Sequence, residues 1–267
     1  MKLEVHEIQA LKGRRQLTEL NVQSVEHSKA AEAAGIDIIV SGYWPEFAAR
    51  RAAAPNTHFC FGLVYGHHVN ADEAKRAAFQ AMEAGADSIY CAMNFDIVEQ
   101  MAKEGIPVVG HAGLVPQKYR WTGMRAFGRT LAEARSIMDV MRHYEDAGAF
   151  AVELEVVAEP VATAISRATP LTVISMGSGA GCDVQYLFAV DILGETTGHV
   201  PRHARVYDNF AAEYDRLHDR RVKAFSSFRD EVAGGQFPDP SEIVNLKSEE
   251  AEALAEFLAD PRQQEKP

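Results

Sequence analysis

Cysteine is scarce in this chain: Cys60, Cys91 and Cys182 are the only three, odd in number and widely spaced. Such a set does not make a disulfide framework and points to a reducing compartment. Long apolar runs are missing as well. No segment approaches about 18 uncharged apolar residues, so no membrane span is expected. The opening MKLEVHEIQALKGRR has no apolar stretch between a basic start and a small-residue cleavage site, unlike a secretory signal. Positive charge is in deficit, with 27 Lys and Arg against 38 Asp and Glu, net −11, which argues against a nucleic-acid surface. A cytoplasmic protein with neither nucleic-acid nor membrane partners is the expectation. GxSxG, HExxH, CxxC and Walker A sequences are all absent. No GxGxxG follows the first predicted strand, which weighs against a dinucleotide-binding fold.

What the chain does contain is a repeated phrase: an Ala-rich helix, a Gly at its end, then a short β-branched or apolar run. It occurs as AEAAGIDIIV (31–40), MEAGADSIYC (82–91), AKEGIPVVG (102–110) and EDAGAFAVELE (145–155). The Gly suits the left-handed position that ends a helix, and the run after it reads as a buried parallel strand. Ala74, Ala77, Ala78, Ala81 and Met82 share one helical face, as do Ala134, Ile137, Met138 and Met141. The predicted strands lie near 17–22, 37–40, 58–63, 88–91, 107–110, 150–155 and 171–176. An eighth is placed near Val200–Val206, and a helix at Tyr186–Leu193. A long polar helix is expected over about Phe210–Val232. Strand–helix alternation with short loops predicts a parallel sheet, here an α/β protein of the (β/α)8 TIM-barrel kind with a C-terminal helical extension. Residues 1–240 form the barrel domain and its helix in this reading, and 241–267 a polar tail.

In such a barrel chemistry sits at the C-terminal strand ends. Glu153 and Glu155 in AVELEVV point to one face of their strand. A carboxylate aimed into a barrel mouth needs a partner or a ligand, so Glu155, the later of the two, is a candidate acid/base; the alternative is a structural ion pair or helix cap. His111, after PVVG, is a second catalytic candidate, or else a satisfied structural histidine. His67 and His68 read as solvated loop residues. Ser41, Tyr43, Tyr90, Ser178 and Asp183 are the substrate-binding candidates. MGSGAGCD (176–183) is either an anion-binding glycine loop or a tight turn, with Asp183 placed to cap the following helix. No residue is assigned to a metal.

HAGLVPQ (111–117), FGRT (127–130), DAGAFAVELE (146–155) and GSGAGCDVQYLFAVDILG (177–194) resemble the ketopantoate hydroxymethyltransferase family; PRHARVYDNF (201–210) and GGQFPDP (234–240) resemble its C-terminal region. The resemblance implies a barrel of the phosphoenolpyruvate/isocitrate lyase type, a homo-oligomer, and a reaction that makes ketopantoate from 2-oxoisovalerate and methylenetetrahydrofolate. It also implies a divalent metal that chelates the 2-oxo acid and stabilises the enolate. The family's proton-moving Glu falls on Glu155 and its strand-end His on His111. Its metal residues do not carry over. The family's Gly–Asp–Ser becomes Ser41–Gly42–Tyr43, its second Asp aligns with Phe61 or Gly62, and its Lys–φ–Glu–Gly–Gly (φ apolar) becomes Tyr90–Cys91–Ala92–Met93–Asn94.

An oxygen-liganded Mg²⁺ site cannot be built from Gly, Phe and Ala. The expected function is therefore an enzyme making or breaking a C–C bond next to a carbonyl, on a 2-oxo acid or related small carbonyl compound, without the family's Mg site. One alternative is a true metal-dependent ketopantoate synthase with a rebuilt Mg site and a tetrahydrofolate donor. Another is a non-catalytic barrel serving as a binding or structural subunit.

Overall fold

The structure is a computed structural model that describes residues 2–42 and 46–259. Eight strands close into a barrel in sequence order: β1 (Leu17–Asn21), β2 (Ile38–Ser41), β3 (His58–Gly62), β4 (Ser88–Tyr90), β5 (Val108–Gly113), β6 (Ala151–Glu155), β7 (Thr172–Met176) and β8 (Val184–Phe188). All neighbours are parallel, and β1 closes on β8 with Leu17 beside Val184. After a first helix α1 (Val5–Ala10), the outer helices are α2 (Val25–Ala33), α3 (Phe47–Ala53), α4 (Ala71–Glu83) and α5 (Phe95–Lys103). A single turn α6 (Tyr119–Thr122), then α7 (Leu131–Asp146), α8 (Glu159–Ala168) and a one-turn α9 (Ala189–Ile192), follow. The chain divides into two compact units, residues 1–211 and 212–267. The second contains most of α10 (Phe210–Ala233) and a short α11 (Ala251–Ala259). No helix among the described residues is long and apolar enough to cross a membrane.

Local sequence explains these elements. Side chains of Ser24, Asn70, Asn94 and Thr130 accept from the backbone N–H three residues on, capping α2, α4, α5 and α7. The repeated Gly after each of α2, α4, α5 and α7 (Gly35, Gly85, Gly105 and Gly148) has φ between 75° and 99°, the left-handed conformation that ends the helix and turns the chain into the next strand. Ala74, Ala78 and Ala81 of α4, and Ile137 and Met141 of α7, are buried against the outer face of the sheet. Small alanines let that helix lie close on the strands. A second apolar cluster fills the lower barrel interior with Leu17, Ile38, Val40, Cys60, Val109, Ile174 and Val184. All three cysteines are buried and unpaired, as packing residues.

The eighth strand is VQYLF (184–188), so the expected strand at Val200–Val206 and helix at Tyr186–Leu193 are both corrected. Barrel closure needs a strand that hydrogen-bonds to β7 and β1 together, and the alternation of buried Val184 and Tyr186 with half-buried Gln185 and Leu187 supplies it. No helix separates β7 from β8. The GSGAGCD segment returns the chain directly: a Cβ on Gly181 would lie 1.9 Å from Thr163 Oγ1 of α8, so this loop rests flat on that helix.

Candidate active site

β5 and β6 build the site between them. Both strands point alternate residues inward, and their register sets His111 beside Glu153 and Gly113 beside Glu155. His111 lies inside β5, because the strand runs three residues past the expected end at Gly110. Gly113 has φ 85°, and a Cβ there would meet the Glu155 carbonyl oxygen at 2.2 Å. Only glycine lets the two strand ends converge this closely. One residue past Glu155 the backbone is strained: Val156 has φ 51°, a conformation that β-branched residues rarely adopt. It is held by a hydrogen bond from Val156 N to Met176 O (2.8 Å) and by one from Phe127 N to Val156 O (2.9 Å).

The His111 ring sits between two carboxylates. Nδ1 lies 3.3 Å from Glu153 Oε2 and Nε2 lies 3.2 Å from Glu155 Oε2. Nε2–H also donates to Leu114 O at 3.0 Å, which places a proton on that nitrogen. Burial disfavours the charged ring, but the hydrogen bonds and negative charges of Glu153 and Glu155 outweigh it and raise the His111 pKa to about 9. His111 is therefore an imidazolium at neutral pH. Its Nδ1–H faces the Tyr90 oxygen at 2.7 Å, leaving the Tyr90 O–H free to donate elsewhere. Burial, reinforced by Glu153, pushes the Tyr90 phenol well above its usual value, so it stays a neutral donor. Tyr144 O–H donates to the His111 carbonyl at 3.0 Å and anchors the strand from outside.

Sequence reasoning set Glu153 aside in favour of Glu155 and missed Glu19. Burial raises the proton affinity of both, Glu153 despite the opposing His111 charge and Glu19 further through its proximity to Glu153. Glu19 Oε2 has no hydrogen-bond partner among the described residues. The signal was present in LTELN: alternation puts Glu19 and Asn21 on the inward face with Leu17.

The His111 cluster floors a cavity of about 350 Å³ at the barrel mouth. Glu153, Glu155, His111 and Tyr90 line it, with Tyr186, Phe188 and Met176 from β7 and β8, and Gln117, whose side chain donates to Ala92 O, at its edge. Glu155 and His111 are thus brought together with Tyr90. The other candidates are not. Tyr43 lies outside the described residues. Ser41 is buried and accepts from Arg50 Nη1 at 2.7 Å, between β2 and α3. Ser178 donates to Leu154 O (2.6 Å) and accepts from Val157 N (2.9 Å), tying down the end of β6. Asp183 precedes a strand rather than a helix. It accepts from Val173 N (2.9 Å), Lys12 Nζ (2.6 Å) and Ser166 Oγ (3.2 Å), knitting β7 to the start of β8 at the opposite end of the strand. The glycine loop does not line the cavity either. Where the family resemblance calls for carboxylates, at and just past the ends of β2, β3 and β4, the chain has Gly42, Phe61 or Gly62, and Ala92. Among the described residues no group of three or more His, Cys, Asp or Glu is placed to hold a metal ion.

A family model described as ketopantoate hydroxymethyltransferase matches residues 45–240. The chain belongs to the ketopantoate hydroxymethyltransferase family. Among its relatives, the 3-methyl-2-oxobutanoate hydroxymethyltransferase of Gluconacetobacter diazotrophicus is 36% identical over 191 residues, covering 70% of this chain and 66% of that protein. The protein of the same name from Kosmotoga olearia is 29% identical over 266 residues, covering 90% and 97%. Among solved structures, a phosphonopyruvate hydrolase is similar over 99% of this chain and 97% of that one, with a TM-score of 0.53 and 14% identity. A putative phosphonomutase from Burkholderia cenocepacia matches 85% of this chain and all of that one, with a TM-score of 0.53 and 13% identity. At these identities the structural likeness concerns the barrel itself.

Proposed function

We propose that this family member makes or breaks a C–C bond next to a carbonyl, with Glu155 moving the proton at the carbon beside it. The observation that carries the reading is the convergence of Glu155, His111 and Tyr90 on one cavity. A proton beside a carbonyl is removed only if the developing enolate oxygen is stabilised. Tyr90 supplies a neutral O–H for that oxygen, and the His111 imidazolium behind it donates to the Tyr90 oxygen and strengthens the donor. Glu155 is the least enclosed carboxylate of the set, with its side chain 13% exposed against 5% for Glu153. It lines the cavity and can exchange a proton with a bound molecule. The enolate then attacks an aldehyde carbon and the new alkoxide takes the proton held by Glu155; in the reverse direction Glu155 takes the hydroxyl proton, the C–C bond breaks to release the aldehyde, and Glu155 returns the proton to the enolate carbon.

Gly42, Phe61 or Gly62, and Ala92 offer no side-chain oxygen ligands, so the residues present do not fit the divalent ion that the family resemblance implies. The reading uses only the chain's own groups. The test is hydroxymethyl transfer: small ketones and 2-oxo acids are incubated with formaldehyde or with methylenetetrahydrofolate, and adducts are read by mass spectrometry. Wild-type protein is expected to form an adduct, and Glu155→Gln to form it at least about a hundredfold more slowly. Full activity in Glu155→Gln rules out the acid/base role. Absence of any adduct with the wild-type protein favours a non-catalytic barrel.

A further inference from the structure

The ionisable groups around the cavity are mostly acidic. Tyrosines apart, His111, Glu153 and Glu155 are the ionisable side chains that line it among the described residues, and no Lys or Arg does. Residues 43–45, next in the chain after the cavity residue Gly42, are Tyr, Trp and Pro, none of them charged. Lys118, which follows the cavity residue Gln117, is exposed and is not part of the lining. The single imidazolium is already faced by two carboxylates at 3.3 and 3.2 Å. A third carboxyl, Glu19, is 2% exposed on the inward face of β1, with Oε2 unpartnered among the described residues. A free carboxylate entering this space would meet two carboxyl side chains and, among the described residues, no cation that is not already paired with them, and would lose its hydration without replacement. The aromatic side adds a second, independent preference. Tyr186 and Phe188 stack with centroids 5.6 Å apart and line the same cavity as Tyr90. Ring faces attract ammonium groups.

We infer that the cavity selects a carbonyl compound bearing an ammonium group, and excludes the corresponding 2-oxo acid. The inference rests on the reading of this cavity as the reactive site. The ammonium lies against Glu153 or Glu155 and an aromatic face, while the carbonyl oxygen takes the Tyr90 hydroxyl. Size agrees with a small molecule: about 350 Å³ falls at the lower end of ligand-sized cavities.

Three ketones that share an isopropyl carbonyl body and differ in charge test it. They are 1-amino-3-methylbutan-2-one, the neutral 3-methylbutan-2-one, and 3-methyl-2-oxobutanoate. Binding to the full-length protein is measured by calorimetry at mildly acidic pH, where the amine is protonated. The expected order is aminoketone tightest, by at least about tenfold over the neutral ketone, with the 2-oxo acid weakest. In Glu153→Gln, checked for folding by circular dichroism, the preference for the aminoketone shrinks while affinity for the neutral ketone is kept. The inference is overturned if the 2-oxo acid or the neutral ketone binds as tightly as the aminoketone, or if the aminoketone does not bind. Deuterium exchange beside the carbonyl, followed on the same samples, separates the two claims. Exchange without the charge preference defeats only the substrate class, whereas the preference without exchange defeats only the catalytic reading.

Discussion

Replacing Glu153 by Gln isolates one of the two negative charges that hold His111 as an imidazolium. The structure raises the His111 pKa from 6.5 to about 9, against the opposing effect of burial. Each tenfold change in proton affinity is worth about 1.4 kcal/mol, so the net preference for the charged ring is about 3 kcal/mol. Glu153 and Glu155 lie at nearly equal distances from the ring, 3.3 and 3.2 Å. Glu153 is the more enclosed, so its charge is the less screened and supplies at least half of the effect. Its removal takes away at least half of an attraction that also has to outweigh the cost of burial, so the His111 midpoint falls well below about 9. The Gln side chain keeps the size and one hydrogen-bonding oxygen, so the loss reports charge rather than packing. The assay is a titration of the histidine ring nitrogens by NMR, with His111→Asn identifying the resonance. A midpoint within about 0.3 of the wild-type value in Glu153→Gln refutes the assignment of His111's charge to its carboxylate neighbours.

Four further outcomes follow from the same geometry. Stability should decline under alkaline conditions: the ion pairs of His111 stabilise the fold fully below its ordinary pKa of 6.5 and are lost as pH rises through about 9. The raised proton affinities of Glu19 and Glu153 act in the same direction, so urea midpoints that are level from neutral to strongly alkaline pH contradict this. Gly113→Ala must accommodate a Cβ 2.2 Å from the Glu155 carbonyl at φ 85° and is expected to lose about 3 kcal/mol in urea denaturation. Val156→Gly relieves the φ of 51° and is expected to gain up to about 1 kcal/mol while slowing turnover, because the backbone after Glu155 is no longer held; a loss of stability refutes the strain. Tyr144→Phe removes the hydrogen bond to the His111 carbonyl and costs about 1 kcal/mol by the same measurement, leaving the His111 titration in place.

The repeat of Ala-rich helix, Gly and β-branched run marked four strands, β2, β4, β5 and β6, where each Gly has the left-handed φ that its position demands, and short apolar runs marked β1, β3 and β7, because buried parallel strands announce themselves by composition. The eighth strand escaped. VQYLF is too short for its period to separate strand from helix, and its partner Leu17–Asn21 is distant in sequence. Glu155 and His111 were legible because both sit near strand ends, and adjacent strands bring them into contact. Glu19 was not, since its proximity to Glu153 arises only when β1 closes the barrel. Asp183 and Ser178 were misplaced for a related reason. With no helix between β7 and β8, the loop that carries them descends against α8 instead of framing the mouth, and their side chains serve the backbone.

Solvent-deuterium exchange tests the central claim most directly. The neutral ketone is bound to the protein in heavy water, and loss of the proton at the carbon beside the carbonyl is followed by NMR for wild-type and Glu155→Gln. The account predicts exchange by the wild-type protein and at least about a hundredfold slower exchange by Glu155→Gln at unchanged ketone affinity. Equal exchange by the two proteins contradicts it.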